Sequence, residues 1–343
     1  MARIFSPARL VAAGLVLLVV ALVLYLVPSD KYVLLPDRAR PVAPAVTVPG
    51  ERDDHDGGGI YYVAVEVKKA SELEKLFPSI HEGATLVPAS DVVPQGESET
   101  QHRRAELRQM ANSQEIAAAV ALRALGKRVV VRSPGTVITA VAPDGPAGGN
   151  LRPGDLVVAV DGRRSPFLAD LRRLIGSHRP GQPVKLTVRR GDSVLKLKLK
   201  TIKDPHDPKR PIIGVFTNCA VQTFSKIKLP LPVRIDLGQV GGPSAGLAFA
   251  LDIFEETGHD VDRGYKVAAT GELCVDGSVV PVGGLEQKTI GAKRAGVDVF
   301  LVPAGENAKD AKRYAGGMRV IPVNSFRQAL HALATLPRIR RPA

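Results

Sequence analysis

A chain of 343 residues is long enough for two or three domains, each with a core of its own. Tryptophan is absent and aromatic residues make up only 4% of the chain, so we expect aliphatic cores. The net charge of +13 is spread along the sequence without interleaved aromatic residues, which argues against a nucleic-acid-binding protein. An anionic membrane surface fits this charge better.

An uncharged, apolar segment covers residues 10–27 and would span about 27 Å of bilayer as a helix. Arg3 and Arg9 precede it, so the positive-inside rule predicts a single-pass transmembrane helix with a cytoplasmic N-terminus. The rest of the chain would then face outward. A cleaved signal peptide is the alternative, although the segment is longer than a usual signal core and lacks an Ala-x-Ala-like end.

The segment that follows has a mixed character. Residues 28–59 are rich in Pro, Asp and Gly, which predicts an extended linker. Residues 60–67, IYYVAVEV, predict a strand. The charged stretch 68–112 is interpreted as polar helix and loop, and residues 113–125 predict a helix that ends at Gly126.

Residues 129–203 have the pattern of a compact β-rich unit with glycine-containing turns. Strands are predicted over residues 136–141, 155–160, 183–189 and 194–199, and a helix over residues 167–175. The phrase GTVITAVAPDGPAGGNLRPGDLVVAVDGR resembles the PDZ domains attached to bacterial exported proteases. This resemblance implies that extended peptides bind by adding a strand to a sheet edge. No glycine-containing loop for a terminal carboxylate is found before Gly135, so recognition of peptide C-termini stays open.

From residue 211 the pattern alternates between strands and helices, as in an α/β or α+β domain. Strands are predicted over residues 212–217, 233–240, 266–270, 274–282, 297–302 and 318–322. Helices are predicted over residues 244–257, 285–295, 307–314 and 326–336.

Two residues of this region form a candidate nucleophile and base. Ser244 lies in the turn GGPSAG, where a strand gives way to a helix, so backbone N–H groups of the helix start can form an oxyanion hole beside its hydroxyl. Lys288, in GGLEQK, lies in the first turn of the next long helix, and its neighbours Gly291 and Ala292 are small enough to pack tightly. Burial would lower the pKa of this lysine from about 10.4 towards neutrality and let it accept the serine proton. Lys293, in contrast, is expected to be exposed.

Further motifs around these residues resemble the proteolytic domain of the Lon family. In chain order they are GPSAG around Ser244, AATGEL over residues 268–273, GSVVPVGGLEQK over residues 277–288 and AGVDVFLVP over residues 295–303. The resemblance implies a Ser–Lys dyad with Ser244 as nucleophile and Lys288 as general base. It also implies that Thr270 hydrogen-bonds to the lysine and orients it. Gly241 departs from the family, which usually has an acidic residue at this position.

The order of an N-terminal anchor, a PDZ domain and a Lon-type domain resembles the small bacterial PDZ–Lon proteases of the YlbL type. No Walker A motif occurs in the sequence, so no ATPase module is predicted. The resemblance implies an ATP-independent serine endopeptidase that cleaves unfolded or extended segments outside the cytoplasmic membrane. The PDZ domain would bind the substrate peptide, and the ring-forming habit of Lon domains also suggests a homo-oligomer.

Two other functions are compatible with the residues. The phrase GPSAG also fits the nucleophile elbow of α/β-hydrolases, with Asp298 and His331 in the order that this fold requires. No HGGG-type oxyanion motif precedes Ser244, however. The non-enzyme alternative is a membrane-anchored PDZ adaptor with an inactive Lon-like domain. The presence of Ser244, Lys288 and Thr270 together argues against it.

The cysteines and histidines carry little further information. Cys219 and Cys274 either form one disulfide in an exported domain or remain two buried thiols. The seven histidines show no metal-ligand spacing and no CxxC motif occurs, so neither a metal nor a cofactor is predicted.

These features together predict a multidomain protein with an N-terminal transmembrane helix, a PDZ-like β-rich domain and an α/β (α+β) Lon-type proteolytic domain. Its predicted parts are a cytoplasmic N-terminus (1–9), a transmembrane helix (10–27), a linker and N-terminal ectodomain segment (28–128), a PDZ domain (129–203) and a Lon-type proteolytic domain (204–343).

Overall fold

The computed structural model of the chain describes residues 7–49, 57–94, 96–205, 207–217, 219 and 226–339. Most of the predicted cytoplasmic N-terminus, residues 1–9, lies outside these ranges. Two short 3₁₀ helices, Ala43–Ala45 and Pro78–Ile80, accompany the helices and strands given below.

The elements are numbered in chain order. The first part contains α1 (Pro7–Leu26), β1 (Pro28–Pro36), β2 (Arg40–Pro41), β3 (Val46–Thr47), β4 (Gly59–Tyr62), β5 (Val65–Ser71), α2 (Glu72–Leu76), β6 (Thr85–Pro88), α3 (Ala89–Val92) and α4 (Glu99–Ala124). The middle part contains β7 (Val130–Arg132), β8 (Thr136–Val137), β9 (Ala140–Val141), β10 (Leu156–Val160), β11 (Arg163–Arg164), α5 (Leu168–Gly176), β12 (Pro183–Arg190), β13 (Ser193–Lys200), β14 (Ile202–Lys203), β15 (Pro211–Ile212) and β16 (Val215–Phe216). The last part contains β17 (Lys226–Lys228), β18 (Arg234–Ile235), α6 (Gly246–Glu256), β19 (Lys266–Ala269), β20 (Glu272–Leu273), β21 (Val279–Val280), α7 (Leu285–Arg294), β22 (Val299–Pro303), α8 (Glu306–Tyr314), β23 (Arg319–Val323) and α9 (Phe326–Ala334).

The segment predicted to cross a membrane, residues 10–27, forms most of α1. Within the described ranges, none of the helices combines the length and the hydropathy that a membrane span requires. The predicted transmembrane helix is therefore not supported by the structure.

The predicted linker over residues 28–59 is wrong, because much of this segment is paired in sheets. β1 lies between β5 and β6 in a three-stranded antiparallel sheet, with Leu34 opposite Val67 and Val33 opposite Leu86. Val33 is 1% exposed, so the strand contributes to the interior. Pro28, Pro36 and Pro41 lie at the ends of β1 and β2, so these prolines mark strand ends and not a linker.

A mostly parallel sheet joins the two ends of the chain. Its strand order is β2-β4-β19-β22-β23, with only the edge strand β2 antiparallel. Ile60 of β4 pairs with Val267 of β19, which pairs in turn with Val299 of β22. All five residues of β22, VFLVP, are buried, as expected for a parallel strand covered on both faces. The predicted strand over residues 60–67 is in fact two strands, because the chain leaves this sheet after Tyr62 and enters the other at Val65.

The β-rich middle part is a separate unit with its own core. Its sheet has the order β11-β10-β12-β13, with β8 also paired to β10, and the amphipathic helix α5 packs against it. The core cluster of this unit runs from Ile138 to Val215 and includes Val160 and Leu186. The strands leading into and out of the unit, β7 and β17, pair with each other. The middle part is thus inserted into a second domain.

That second domain is built from both flanking parts. One core cluster contains Ile60 and Ile116 from the first part together with Phe249 and Leu301 from the last part. The long helix α4 packs directly against α6. Residues 28–128, predicted as a separate ectodomain segment, therefore complete the C-terminal domain rather than precede it.

Candidate active site

The turn that carries Ser244 lies between β18 and α6. Gly242 has a φ of +85°, a left-handed conformation that glycine adopts at low cost. Helix α6 begins at Gly246, with Ala245 as its N-cap, so Ser244 lies two residues before the helix rather than at its first position as predicted. Ser244 is half-buried.

The backbone carbonyl of Ser244 is held by the segment that follows β19. It accepts a hydrogen bond from the N–H of Gly271 at 2.8 Å and one from the Thr270 hydroxyl at 3.3 Å. Thr270 is completely buried. The proton of Thr270 is therefore donated to the serine backbone, and the hydroxyl oxygen keeps lone pairs that could accept from the lysine.

Lys288 lies in the first turn of α7 and is 5% exposed. Burial disfavours its charged form and lowers its pKa to about 8 from an ordinary value of 10.5. Among the described residues, none of the ion pairs includes Lys288. A carboxylate partner would have opposed this shift, so the lysine can lose its proton near neutral pH.

The small face of α7 next to Lys288 is tightly packed, as predicted. Ala292 is fully buried, and a Cβ at Gly291 would overlap the backbone carbonyl of Asp37. The carbonyl of Gly291 also accepts a hydrogen bond from the N–H of Ala39. Lys293, on the other face, is exposed. This contrast explains why the pKa of Lys288 is lowered.

Ser244 and Lys288 line the same cleft, which has a volume of about 1110 Å³. One wall is the segment 62–67 at the start of β5, and another is α4. Thr270 is not among the described residues that line it, in keeping with its burial. The cleft is thus a groove with a serine hydroxyl and a neutralisable amine on its surface.

Gly241 stands where the Lon family usually has an acidic residue, and it lies against α4. A Cβ at this position would be 3.0 Å from the Cβ of Glu106 and 3.4 Å from its Oε2. The side chain of Glu106 therefore occupies the space beside residue 241. Sequence analysis missed this residue because it treated the charged stretch before residue 112 as polar helix and loop.

The part of α4 that lines the cleft has a recognisable pattern in the sequence. Glu99, Arg103, Glu106 and Met110 recur at spacings of three and four, which places them on one helix face. A capping box between Ser98 and Gln101 marks where this helix begins.

The residues of the hydrolase alternative are not brought to the cleft. Asp298 Oδ2 accepts a hydrogen bond from the N–H of Lys266, and His331 lies exposed on α9. Neither is among the described residues that line the cleft with Ser244. The structure therefore does not support a Ser–His–Asp triad.

Cys219 and Cys274 form a disulfide, with 5.2 Å between their Cα atoms. The bond is buried in a small cluster with Leu168, the first residue of α5, and with Val280. It therefore ties the inserted unit to the domain that contains Ser244.

An acidic group lies away from the cleft. One carboxylate oxygen from each of Glu255, Asp260 and Asp262 lies within 4.8 Å of the others. Glu255 accepts hydrogen bonds from the N–H groups of Val261 and Asp262, and burial is the main cause that raises its pKa to about 7. These hydrogen bonds stabilise the turn after α6.

The strand predicted over residues 212–217, at the start of the following domain, is two short strands that pack with the inserted unit. Val215–Phe216 pairs antiparallel with Ala140–Val141, and the carbonyl of Gly214 accepts from the N–H of Ala142. The preceding strand, β15, contacts α5. Phe216 is 60% exposed. Gly214 and the two strands beside it therefore follow residues 129–203 in the chain and still belong to this unit.

Two family profiles match the chain. Residues 123–201 match the PDZ domain, and residues 229–335 match the Lon protease (S16) C-terminal proteolytic domain. The second match contains Ser244, Thr270 and Lys288. The Lon match begins at residue 229, well after the first part of the chain. The structure nevertheless shows that the first part shares one core with the matched segment.

Curated relatives agree with the second match. The Lon protease of Chloroflexus aggregans is 41% identical over 121 residues, covering 34% of this chain and 14% of the relative. The Lon protease of Rhizobium meliloti is 39% identical over 102 residues, covering 28% and 12%. Lon protease 2 of Bacillus subtilis is 34% identical over 98 residues, covering 29% and 17%. The chain therefore spans less than a fifth of the length of these relatives.

Two solved structures are each similar to about a quarter of the chain. The PDZ domain of the SdrC-like protein from Listeria monocytogenes is 27% identical and covers 26% of this chain and 92% of that one, with a TM-score of 0.24. A protein from Geobacillus thermodenitrificans is also 27% identical, covers 24% and 94%, and has a TM-score of 0.23.

Proposed function

Because this chain carries a PDZ domain and the Lon-type proteolytic domain of a serine endopeptidase, we propose that it hydrolyses peptide bonds with a Ser244–Lys288 dyad. One observation supports this above all others. Ser244 shares a cleft with a lysine whose burial lowers its pKa to about 8. A buried, neutralisable amine costs stability and serves no packing purpose that an apolar side chain would not serve better.

The mechanism begins with neutral Lys288. Its Nζ accepts the proton of the Ser244 hydroxyl as the serine oxygen attacks the substrate carbonyl carbon. The resulting ammonium group then gives this proton to the nitrogen of the leaving amine, and the C–N bond breaks to leave an acyl-enzyme. Lys288, neutral again, accepts a proton from water as the water oxygen attacks the ester carbonyl carbon. The C–O bond to Ser244 then breaks, the ammonium group returns this proton to the serine oxygen, and the carboxylic acid product leaves.

An oxyanion hole can be formed by the turn itself. The N–H of Gly242 donates to the carbonyl of Glu106, and that of Gly246 donates to the carbonyl of Pro243. Among the described residues, the N–H groups of Ser244 and Ala245 have no such acceptor within the protein. Both lie at the start of α6, where the helix dipole favours negative charge, so they are suited to stabilise the tetrahedral intermediate.

Thr270 orients this site in our proposal. Its hydroxyl donates to the carbonyl of Ser244, so its remaining lone pairs can accept a hydrogen bond from the Nζ of Lys288. This contact would point the lysine towards the serine hydroxyl.

The substrates are proposed to be unfolded or extended segments, cleaved without ATP. The sequence contains no Walker A motif that would supply an unfolding motor. The PDZ domain would hold a substrate peptide as an added strand beside Val215–Phe216, where Phe216 is exposed and the preceding strand β15 contacts α5. We place the reaction outside the cytoplasm, because the Cys219–Cys274 disulfide is typical of oxidising compartments.

The test is digestion of fluorescently labelled, unfolded casein by the purified full chain without nucleotide. We expect cleavage by the wild type and none by Ser244→Ala or Lys288→Ala. Lys293→Ala is the matched control, since it removes an exposed lysine from the same helix and should retain wild-type activity. Equal cleavage by wild type and Ser244→Ala would refute the dyad, whereas no cleavage by the wild type would leave the adaptor function.

A further inference from the structure

Helix α4 lies almost wholly before both matched segments, yet it contacts the nucleophile turn along one face. Arg103, Glu106 and Ser113 are spaced so that they project from the same side of the helix. Met110, between them, lines the cleft and is buried. The helix is therefore part of the site's framework rather than a surface element.

Three hydrogen bonds connect this face to the turn. The guanidinium of Arg103 donates to the carbonyl of Gln239. The N–H of Gly242 donates to the backbone carbonyl of Glu106 at 3.1 Å. The Ser113 hydroxyl donates to the carbonyl of Pro243 at 3.0 Å. The contacts thus run from the beginning of the turn to the residue directly before Ser244.

Ser113 makes the most restrictive of these contacts because it is only 1% exposed. A Cβ on Gly246 would lie 2.8 Å from its Oγ, so the hydroxyl also lies against the backbone just after the nucleophile. The hydroxyl therefore touches the chain on both sides of Ser244. Moving it would move the serine relative to Lys288.

We propose that α4 positions the nucleophile, with Ser113 as the principal positioning residue and Arg103 as the second. The inference rests on the proposed Ser244–Lys288 dyad. Catalytic steps are sensitive to small displacements, and a misplacement of about 1 Å can cost about 100-fold in rate. These residues act through the backbone of the turn and do not touch the substrate's reacting atoms.

The test compares Ser113→Ala with wild type in the full chain. We expect kcat for casein cleavage and the rate at which a fluorophosphonate probe labels Ser244 to fall about 10- to 100-fold. The KM and the pH midpoint of kcat/KM should stay unchanged, because the cleft walls and Lys288 are untouched. A purely structural role would instead lower the melting temperature and leave kcat per folded molecule within twofold of wild type, which would overturn the proposal.

Thr257→Ala is the matched control. Its hydroxyl donates to the carbonyl of Phe254 at 2.8 Å, at the far end of α6, so an equal bond is lost without touching the turn. We expect wild-type kcat and labelling rate. An equal loss in Thr257→Ala and Ser113→Ala would show that general loosening of α6 is responsible and would refute a positioning role.

Arg103 provides a second variant that is not expected to disturb folding, because its side chain is 44% exposed. Arg103→Ala should lower kcat severalfold, and Arg103→Lys, which can still donate to Gln239, should recover part of that loss. Unchanged kcat in both Arg103→Ala and Ser113→Ala would contradict the inference. If Ser244→Ala itself stays active, the dyad rather than the role of α4 has failed.

Discussion

The backbone carbonyl of Asp37 lies directly against Gly291, one helical turn after Lys288. This contact closes the first part of the chain over the helix that carries the proposed base. Gly291→Ala would force the two segments apart, and overpacking of this kind costs about 1–3 kcal/mol. We expect a lower free energy of unfolding in urea and a higher pH midpoint of activity, since Lys288 would gain water.

A matched substitution separates the contact with Asp37 from a general loss of stability. Gly296 has a φ of +70° and nothing near its missing Cβ, so Gly296→Ala introduces backbone strain without touching Asp37. It should lower stability without shifting the pH midpoint. A Gly291→Ala variant with the stability and the pH midpoint of the wild type would show that the contact is unimportant.

Activity should increase with pH as Lys288 loses its proton. Its pKa is lowered to about 8, so kcat/KM for casein should rise between pH 7 and 9 with a midpoint near 8. Measuring casein cleavage at a series of pH values and at fixed ionic strength would give this profile. A flat profile in that range, for an enzyme inactivated by Ser244→Ala, would exclude Lys288 as the titrating base.

Replacing Lys288 with Met should stabilise the protein while abolishing activity. The folded-state pKa lies below the ordinary value, so the unfolded chain binds more protons between pH 8 and 10.5 and stability rises across that window. Below pH 8 the buried lysine is charged in the folded state, so the full cost of burying that charge lowers the stability. Lys288→Met should therefore raise the free energy of unfolding at pH 7 by up to about 3 kcal/mol.

Urea titrations at pH 7 and pH 10 would measure this effect. The difference between variant and wild type should shrink at the higher pH, where unfolded and folded lysine approach the same protonation. A variant less stable than the wild type at pH 7 would show that the amine makes favourable contacts in the folded state.

The disulfide should contribute substantially to stability. Cys219 and Cys274 are 55 residues apart in the chain, and closing a loop of that length in the unfolded state contributes about 2–4 kcal/mol. We expect the Cys219→Ala/Cys274→Ala double variant to melt at a lower temperature than the wild type. Reductant should lower the melting temperature of the wild type to the same value and leave the double variant unchanged.

Phe216 should matter for protein substrates only. Among the described strands, Val215–Phe216 pairs on one side only, and a charge at this exposed position would disfavour an apolar peptide strand added on the other side. We expect Phe216→Asp to raise the KM for casein about tenfold, which is about 1.4 kcal/mol of binding free energy, without changing the fluorophosphonate labelling of Ser244. Val194→Asp, at a similarly exposed apolar residue on β13, should leave KM unchanged.

The local parts of the site could be predicted from the sequence, whereas its long-range parts could not. The burial of Lys288 follows from the small residues one turn later on its own helix, and Gly291 and Ala292 are visible in the sequence. The pairing of Ile60 with Val267 could not be predicted, because alternation of apolar residues indicates a strand but does not identify its partner strand. Residues 233–240 show the converse, since only Arg234–Ile235 finds a pairing partner, in β3.

The insertion of the PDZ domain between two halves of one core affects the order in which the protein can fold during synthesis. β4 is synthesised about two hundred residues before β19, the strand it must join. Until then the edge of β4 that pairs with β19 has no partner strand, whereas the PDZ domain has a core of its own and can fold first. Because β7 and β17 pair at its base, that early folding brings the two halves together and shortens the loop that must be closed. The cleft is lined by residues of both halves, so it can form only after α7 has been synthesised.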